Sequence, residues 1–402
     1  MNDLVQLNKK TKYNEFADKN PFENSTKLLQ HMDRLSAYFR GEDPFPINME
    51  ISPVLYCNQA CKFCVSAYNH LGNPSMTKEE KEKALKHLDT IGEISNHPER
   101  KKGLDGKYVK KFLKEAKELG LKSITMSGGG ESSMWLDFAD VVKFAHDIGL
   151  EVAMMTNGAW RTKDTEVIGN CMRWIRVSLD SFNEKIYREE KNTNLFPKVI
   201  QNIRNVLKYP VKVGLNCNVG DYNKDDILDF AFKSKELGVN YIQYRPILGL
   251  PWSVSFNQKY RKQYSKEWID ELRPKLAAAE QLSTDNFKVH ISWDKFEGLT
   301  QENYGRIYSK CTYHHFQCIL NADGNVMVCL YRTLEPDKFA FGNIYESSAK
   351  EIWQSEQRKK AVNYCNNNLD LENCQLFCKS HNISKFIHLI ENPKKENDIN
   401  FL

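Results

Sequence analysis

The chain has 402 residues, 41% apolar, 27% charged and 11% aromatic, enough for two or three domains at about 150 residues each. Its 57 basic and 52 acidic residues leave a net charge of +5, too small to demand nucleic acid or an anionic membrane surface. The opening "MNDLVQLNKKTKYNEF" lacks the apolar run of roughly 7–15 residues that marks a signal peptide. No stretch approaches the roughly 18 consecutive apolar residues of a membrane span, so the chain reads as cytoplasmic. In that reducing compartment eleven cysteines argue for metal or catalytic chemistry rather than a disulfide framework.

Residues 1–23 are polar and read as loose. Apolar residues at helical spacing from Leu28 to Phe39 predict a lead-in helix, capped by Ser25 or Thr26 and ended by Gly41. From Ile47 to about Leu250, six strand-like runs ("NMEISPVLY", "SITMSGG", "EVAMMTN", "WIRVSLD", "VKVGLNCNV", "YIQYRPI") alternate with amphipathic stretches. Three of those stretches end at Gly120, Gly149 and Gly238 just before the next strand, as helix C-caps do. Repeated strand–helix alternation predicts an α/β fold with a parallel sheet closed or partly closed into a barrel. The charged run "TKEEKEKALKHLDTIGEISNHPERKK" reads as a solvated insertion. After a mixed stretch at 251–300, "HFQCILNADGNVMVCLY" alternates around Asp323-Gly324 and predicts a β-hairpin. The domain change is placed near residue 285, and the last stretch, "ENPKKENDINFL", reads as a frayed tail. The boundaries are 1–46 for an extension with one helix, 47–284 for the barrel, 285–385 for a Cys-rich domain and 386–402 for a tail.

Just beyond the first strand, "CNQACKFC" sets Cys57, Cys61 and Cys64 at C-x3-C-x2-C. A structural zinc site wants four ligands, and a disulfide-exchange pair has no use for Cys57. Three thiolates suit a cubane iron–sulfur cluster whose fourth iron stays open to a small ligand. Further along, "SGGGE" (127–131) closes the second strand, "TNG" (156–158) the third, and "RVSLD" (176–180) forms the fourth. Taken singly, the first two are ordinary turn sequences. In register they say more. Gly129 and Gly130 admit a close ligand, Glu131 offers a carboxylate to an ammonium group, and Asn157 and Ser178 lie where barrel sites lie.

C-x3-C-x-Φ-C, with Phe63 as the aromatic, resembles the signature of radical S-adenosylmethionine (radical SAM) enzymes, and the other landmarks fall in that family's order. The resemblance implies a partial (β/α)6 TIM-like barrel. It assigns Cys57, Cys61 and Cys64 to a 4Fe–4S cluster. Phe63, Gly129, Gly130, Glu131, Asn157, Ser178 and Arg188 become cofactor-binding candidates. It implies an electron donor such as flavodoxin or ferredoxin, and a cofactor-derived 5′-deoxyadenosyl radical that takes hydrogen from an unactivated carbon.

Six cysteines follow: Cys311, Cys318, Cys329, Cys365, Cys374 and Cys378. Cys311 and Cys329 bracket the hairpin as C-x12-G-x4-C, which resembles the start of the SPASM and twitch extensions of radical SAM enzymes. With Cys374 and Cys378 they supply four thiolates for one auxiliary 4Fe–4S cluster. Three further cysteines of a full SPASM domain are absent, so the twitch type fits better. The closing pair is C-x3-C where twitch enzymes usually show C-x2-C, so Cys318 or Cys365 can replace one of the four. A structural zinc held by the same thiolates is the alternative. Cys318 and Cys365 are also candidate hydrogen donors to a substrate radical, which an epimerase needs. Cys171 and Cys217 read as small core residues.

Arg245 ends the sixth strand near the cavity mouth and is a candidate for gripping a substrate phosphate or carboxylate; a structural ion pair is the alternative. His314 and His315, taken as neighbours on a strand, face opposite ways and read as surface or supporting groups. The whole resembles twitch-type enzymes of the 2-deoxy-scyllo-inosamine dehydrogenase kind and related carbohydrate-modifying members. That implies oxidation or epimerisation at a carbinol carbon of a sugar, cyclitol or nucleotide sugar. The alternative is a maturase acting on a ribosomally made peptide, set lower because only about 46 residues precede the core. A role like that of the molybdopterin enzyme, which ends in Gly-Gly, is set lower again for a chain ending "NDINFL".

Overall fold

The computed structural model describes residues 24–64, 103–247, 264–300, 306–333, 335–374, 378 and 380–393. The predicted insertion, the first part of the mixed stretch (251–263) and the last nine residues lie outside them. All six predicted strands form: β1 Asn48–Ile51, β2 Ser123–Met126, β3 Glu151–Thr156, β4 Met172–Ser178, β5 Lys212–Val219 and β6 Tyr241–Pro246. They pair in parallel in sequence order, β1 to β6. The intervening helices Gly106–Glu118, Phe138–Asp147, Phe196–Val206 and Ile227–Leu237 cover the outer face. Gly238 ends the last of these with φ +86°, a left-handed cap that a Cβ would disfavour.

The sheet does not stop at residue 285. β7, Lys288–Ile291, pairs in parallel with β6 and continues the barrel wall. At the other edge the hairpin strand β8, Gln317–Leu320, pairs in parallel with β1 and antiparallel with β9, Asn325–Met327. β10, Ala340–Asn343, completes one ten-stranded sheet in the order β10-β9-β8-β1-β2-β3-β4-β5-β6-β7. The apolar faces of these strands and of the helices merge into one core that includes Met49, Ile124, Val177, Leu215, Ile319 and Phe341.

Three expectations are corrected. The lead-in segment starts as a 3-10 helix, Ser25–His31, before the α-helix Met32–Phe39. Its cap is Asn24, whose side chain accepts from the Thr26 N–H at 2.8 Å. Residues 386–391 are no tail: they finish the helix Ser380–Glu391, and Phe386 and Ile387 are buried against Leu28, Leu35 and Phe316. Ile383, Phe386 and Ile387 recur at helical spacing, the signal that the charged end of the chain obscured. Finally, His314 and His315 sit on a 3-10 turn and are both buried, their rings 4.3 Å apart. A 3-10 turn does not send neighbours to opposite faces as a strand does. Among the described residues no helix is long and apolar enough to cross a membrane.

Candidate functional site: two thiol clusters at one barrel

The cysteine loop leaves the carboxyl end of β1, where parallel barrels place their chemistry. The "SGGGE" turn leaves β2 beside it. At Gly130 a Cβ would lie 2.3 Å from the Tyr56 carbonyl oxygen, so only glycine lets the turn lie against the backbone entering Cys57. The Glu131 N–H donates to that same carbonyl at 3.0 Å, and the Gly129 N–H donates to Ser52 Oγ at 3.1 Å. The two motifs are thus fastened to each other by backbone.

Glu131 is 4% exposed and its carboxylate is heavily engaged. Oε1 accepts from Ser133 Oγ (2.7 Å), Thr156 Oγ1 (2.8 Å) and the Ser133 N–H (3.2 Å). Oε2 accepts from the Asn157 N–H at 2.8 Å and keeps lone-pair capacity for a further donor. Glu131 therefore ties the ends of β2 and β3 together, a structural duty that its type and position did not announce. Asn157 Nδ2 donates to Asn58 Oδ1 at 2.7 Å and lies 3.4 Å from Cys57 Sγ. Burial, then Glu131, pushes the Cys57 thiol up to about 12, and Cys61 and Cys64 add to the rise. The three thiols therefore sense one another across a common space.

Cys61 is raised by burial and opposed chiefly by Lys191. Lys191 and Asp180, each 2% exposed, form a buried ion pair. Lys191 Nζ also donates to Ser178 Oγ at 3.2 Å and stands 5.1 Å over the Phe63 ring, which stacks on Tyr222. Burial works against the ammonium, but Asp180, Cys61 and Tyr187 hold its pKa up. Asp180 adopts φ +66°, a left-handed backbone unusual outside glycine. It is held there by Asn218, whose N–H donates to Oδ1 at 2.7 Å, and by Asn223, whose Nδ2 donates to the Asp180 carbonyl at 2.8 Å. Lys191 and Asp180 were missed as site residues, although "RVSLD" put Asp180 within the quoted motif. Arg188, one turn from Lys191 on the helix Glu184–Lys191, is exposed, whereas Tyr187 and Lys191 turn inward.

The second cluster is assembled from distant segments. Cys311, Cys329, Cys374 and Cys378 line a chamber of about 50 Å3, together with Cys318, Glu50, Tyr331 and Arg332. That volume admits a few water-sized atoms. Burial pushes the Cys329 thiol well up, and Cys311, Cys378 and Cys374 push it further. Arg332 Nη2 donates to Cys374 Sγ at 3.5 Å. Cys365, buried on the helix Glu356–Asn367, is raised by burial, then by Cys311 and Cys374, so it belongs to this neighbourhood. Cys217 is buried in the barrel core and Cys171 is packed against it. Among the described residues no three His, Cys, Asp or Glu close tightly enough to hold a single metal ion. The thiols face shared spaces instead.

The chamber borders the barrel interior. Tyr331 is raised by burial, lowered by Arg245, and raised again by Cys378 and Glu50, so all four lie close. Ser127, at the end of β2, donates to Glu50 on β1. Arg245 Nε is buried with no hydrogen-bond partner among the described residues.

A barrel whose first strand runs into a three-thiol loop, braced by a glycine turn and followed by a second thiol chamber, defines an iron–sulfur radical enzyme. Residues 51–233 match the model of the Radical SAM superfamily, and residues 311–379 match that of SPASM, an iron-sulfur cluster-binding domain. The chain carries a radical SAM domain and a C-terminal SPASM domain, and its cofactors are 4Fe–4S clusters and S-adenosylmethionine.

GTP 3′,8-cyclase of Clostridium perfringens (strain SM101) is 29% identical over 146 residues, 35% of this chain and 45% of the relative. The probable GTP 3′,8-cyclase of Sulfurisphaera tokodaii is 26% identical over 54% of this chain and 68% of its own. The chain thus spans less than half the length of the clostridial relative. In fold it is similar to Streptococcus suis SuiB bound to S-adenosylmethionine (TM-score 0.60, 14% identity, 91% of this chain and 80% of that one). It is likewise similar to anSMEcpe with bound AdoMet (TM-score 0.55, 16% identity, 84% and 89%).

Proposed function

We propose that this enzyme abstracts a hydrogen atom from a C–H group of a small anionic molecule and carries it to an oxidised or epimerised product. The carrying observation is the juxtaposition of Glu50, Arg245 and Tyr331 between the barrel interior and the four-thiol chamber. When bound, the cofactors supply a 5′-deoxyadenosyl radical and an acceptor for the electron left on the substrate.

In this reading Cys57, Cys61 and Cys64 hold the first cluster, and Cys311, Cys329, Cys374 and Cys378 hold the auxiliary one. The fit rests on thiols that crowd one another and on a glycine turn that a Cβ would block. Glu131 Oε2 and Asn157 receive the cofactor's methionyl group, Phe63 and Ser178 its nucleoside side. Arg245, with an unused donor, grips the substrate's anionic group. Cys318, buried on the chamber wall, and Cys365 are the thiols placed to return a hydrogen atom if the outcome is epimerisation. A flavodoxin or ferredoxin supplies the reducing electron.

The curated relatives are named for a reaction of GTP, a phosphorylated small molecule, which supports an anionic substrate. The peptide reading draws on SuiB, which was also solved with precursor peptide SuiA (TM-score 0.59, 13% identity). Product mass separates the outcomes. Reconstituted enzyme is incubated with dithionite, S-adenosylmethionine and candidate sugar phosphates or nucleotide sugars in deuterated water. Loss of two hydrogens means oxidation; deuterium uptake without other change means epimerisation. Turnover confined to a short peptide would overturn the small-molecule reading.

A further inference from the structure

Among the described residues, the end of the barrel opposite the thiol triad is hollow. A cavity of about 980 Å3 opens there, walled by the first residues of the strands, from Asn48 of β1 and Ser123 of β2 round to Lys288 of β7 and Gln317 of β8. Parallel barrels normally fill this space with layers of branched apolar side chains. Here the wall carries Lys212 and Lys288 at the rim, Arg176 deeper, and Arg245 at the far end. The acids on the wall are Glu151 and Asp285, and Glu151 is already drawn to Arg173 at 3.5 Å. His290, also on the wall, is held below its ordinary range by burial and then by Lys288 and Lys212, as a positive field would do. Trp174 adds aromatic surface beside these cations, while Tyr241 is buried, its ring 6.1 Å from that of His290.

We propose that the outer part of this cavity, around Lys212 and Lys288, is a second ligand site for a phosphorylated small molecule bearing a flat ring; Arg245, which the proposed function gives to the substrate, closes its inner end. Ligand pockets run to roughly 1,000 Å3 and combine apolar or aromatic walls with a few charged anchors. Lys212 and Lys288 act as point-charge anchors for phosphate. Trp174, half-buried on the wall, offers a face to the ring.

The test uses the full chain with both clusters rebuilt anaerobically and S-adenosylmethionine present at saturation, so that the other end is occupied. Calorimetry with ATP, pyrophosphate and adenosine is expected to give one saturable site for ATP, a weaker one for pyrophosphate, and little for adenosine. Lys212→Glu with Lys288→Glu should weaken ATP at least about tenfold, the order expected when two charges facing a phosphate are reversed. Lys212→Arg with Lys288→Arg should retain binding, which separates lost charge from lost fold. Trp174→Phe should remove ATP-induced fluorescence quenching while binding persists. No saturation by ATP or pyrophosphate below about 1 mM, displacement of ATP by S-adenosylmethionine, or unchanged binding in the double Glu variant overturns the proposal.

Discussion

The two thiol clusters are built by opposite means. The first is local: three cysteines within eight residues, on a loop anchored at β1. Its rigidity is borrowed from the barrel, because Glu131 and Asn157 tie the loop's surroundings to β2 and β3. The second draws thiols from segments up to Cys378, 67 positions beyond Cys311, and owes its shape to a small hairpin and short helices. Closing a loop of that length costs entropy before any thiol meets another. Loss of one thiol from either cluster should therefore leave the other cluster's irons in place, even though β8 and its hairpin pair with β1.

The largest effect that sharpens this contrast is Cys61→Ala. It should abolish 5′-deoxyadenosine formation outright while roughly half of about eight irons per chain remain, measured by iron analysis and product chromatography. Cys378→Ser should also lower iron to about four, yet leave uncoupled S-adenosylmethionine cleavage intact and remove substrate turnover. If it also abolishes cleavage, the two clusters are not independent. Next comes Lys191→Met. It strands the buried Asp180 carboxylate and should cost about 3–5 kcal/mol in urea unfolding, most of it recovered by adding Asp180→Asn.

The smallest effect is with pH. Burial, then Lys310, pulls His315 down to about 4, and burial likewise takes His381 to about 4. Unfolded, both titrate near 6.5. As pH falls the unfolded chain takes up protons first. The stability these groups contribute is thus whole above about 6.5 and drains away toward 4. Urea midpoints between pH 7 and 4.5 should fall, and His315→Gln should flatten part of that slope.

What the chain reveals without a structure follows the same division. Strand–helix alternation and glycine caps are local signals, so β1 to β6 were legible to within a few residues. The C-x3-C-x2-C loop was legible for the same reason. β7 was not, because "KVHI" is four residues long with charge at its start. The buried pair of Lys191 and Asp180 was hidden as well. Nothing in a Lys-rich helix says which lysine turns inward until Phe63 and Ser178 are in place around it. His314 and His315 were misjudged because tertiary packing, not alternation, decides the burial of a 3-10 turn. Cys365 joined its neighbours only through the fold of its helix.

β1 lies between β2 and β8, with hydrogen-bonded neighbours on both sides. Cutting the chain before residue 311 would strip one flank of that strand and leave a naked row of amides and carbonyls immediately upstream of Cys57. Such an edge recruits other chains. The barrel should consequently precipitate when expressed alone, and the cysteine-rich region is as much a guard for its first strand as a home for a cluster.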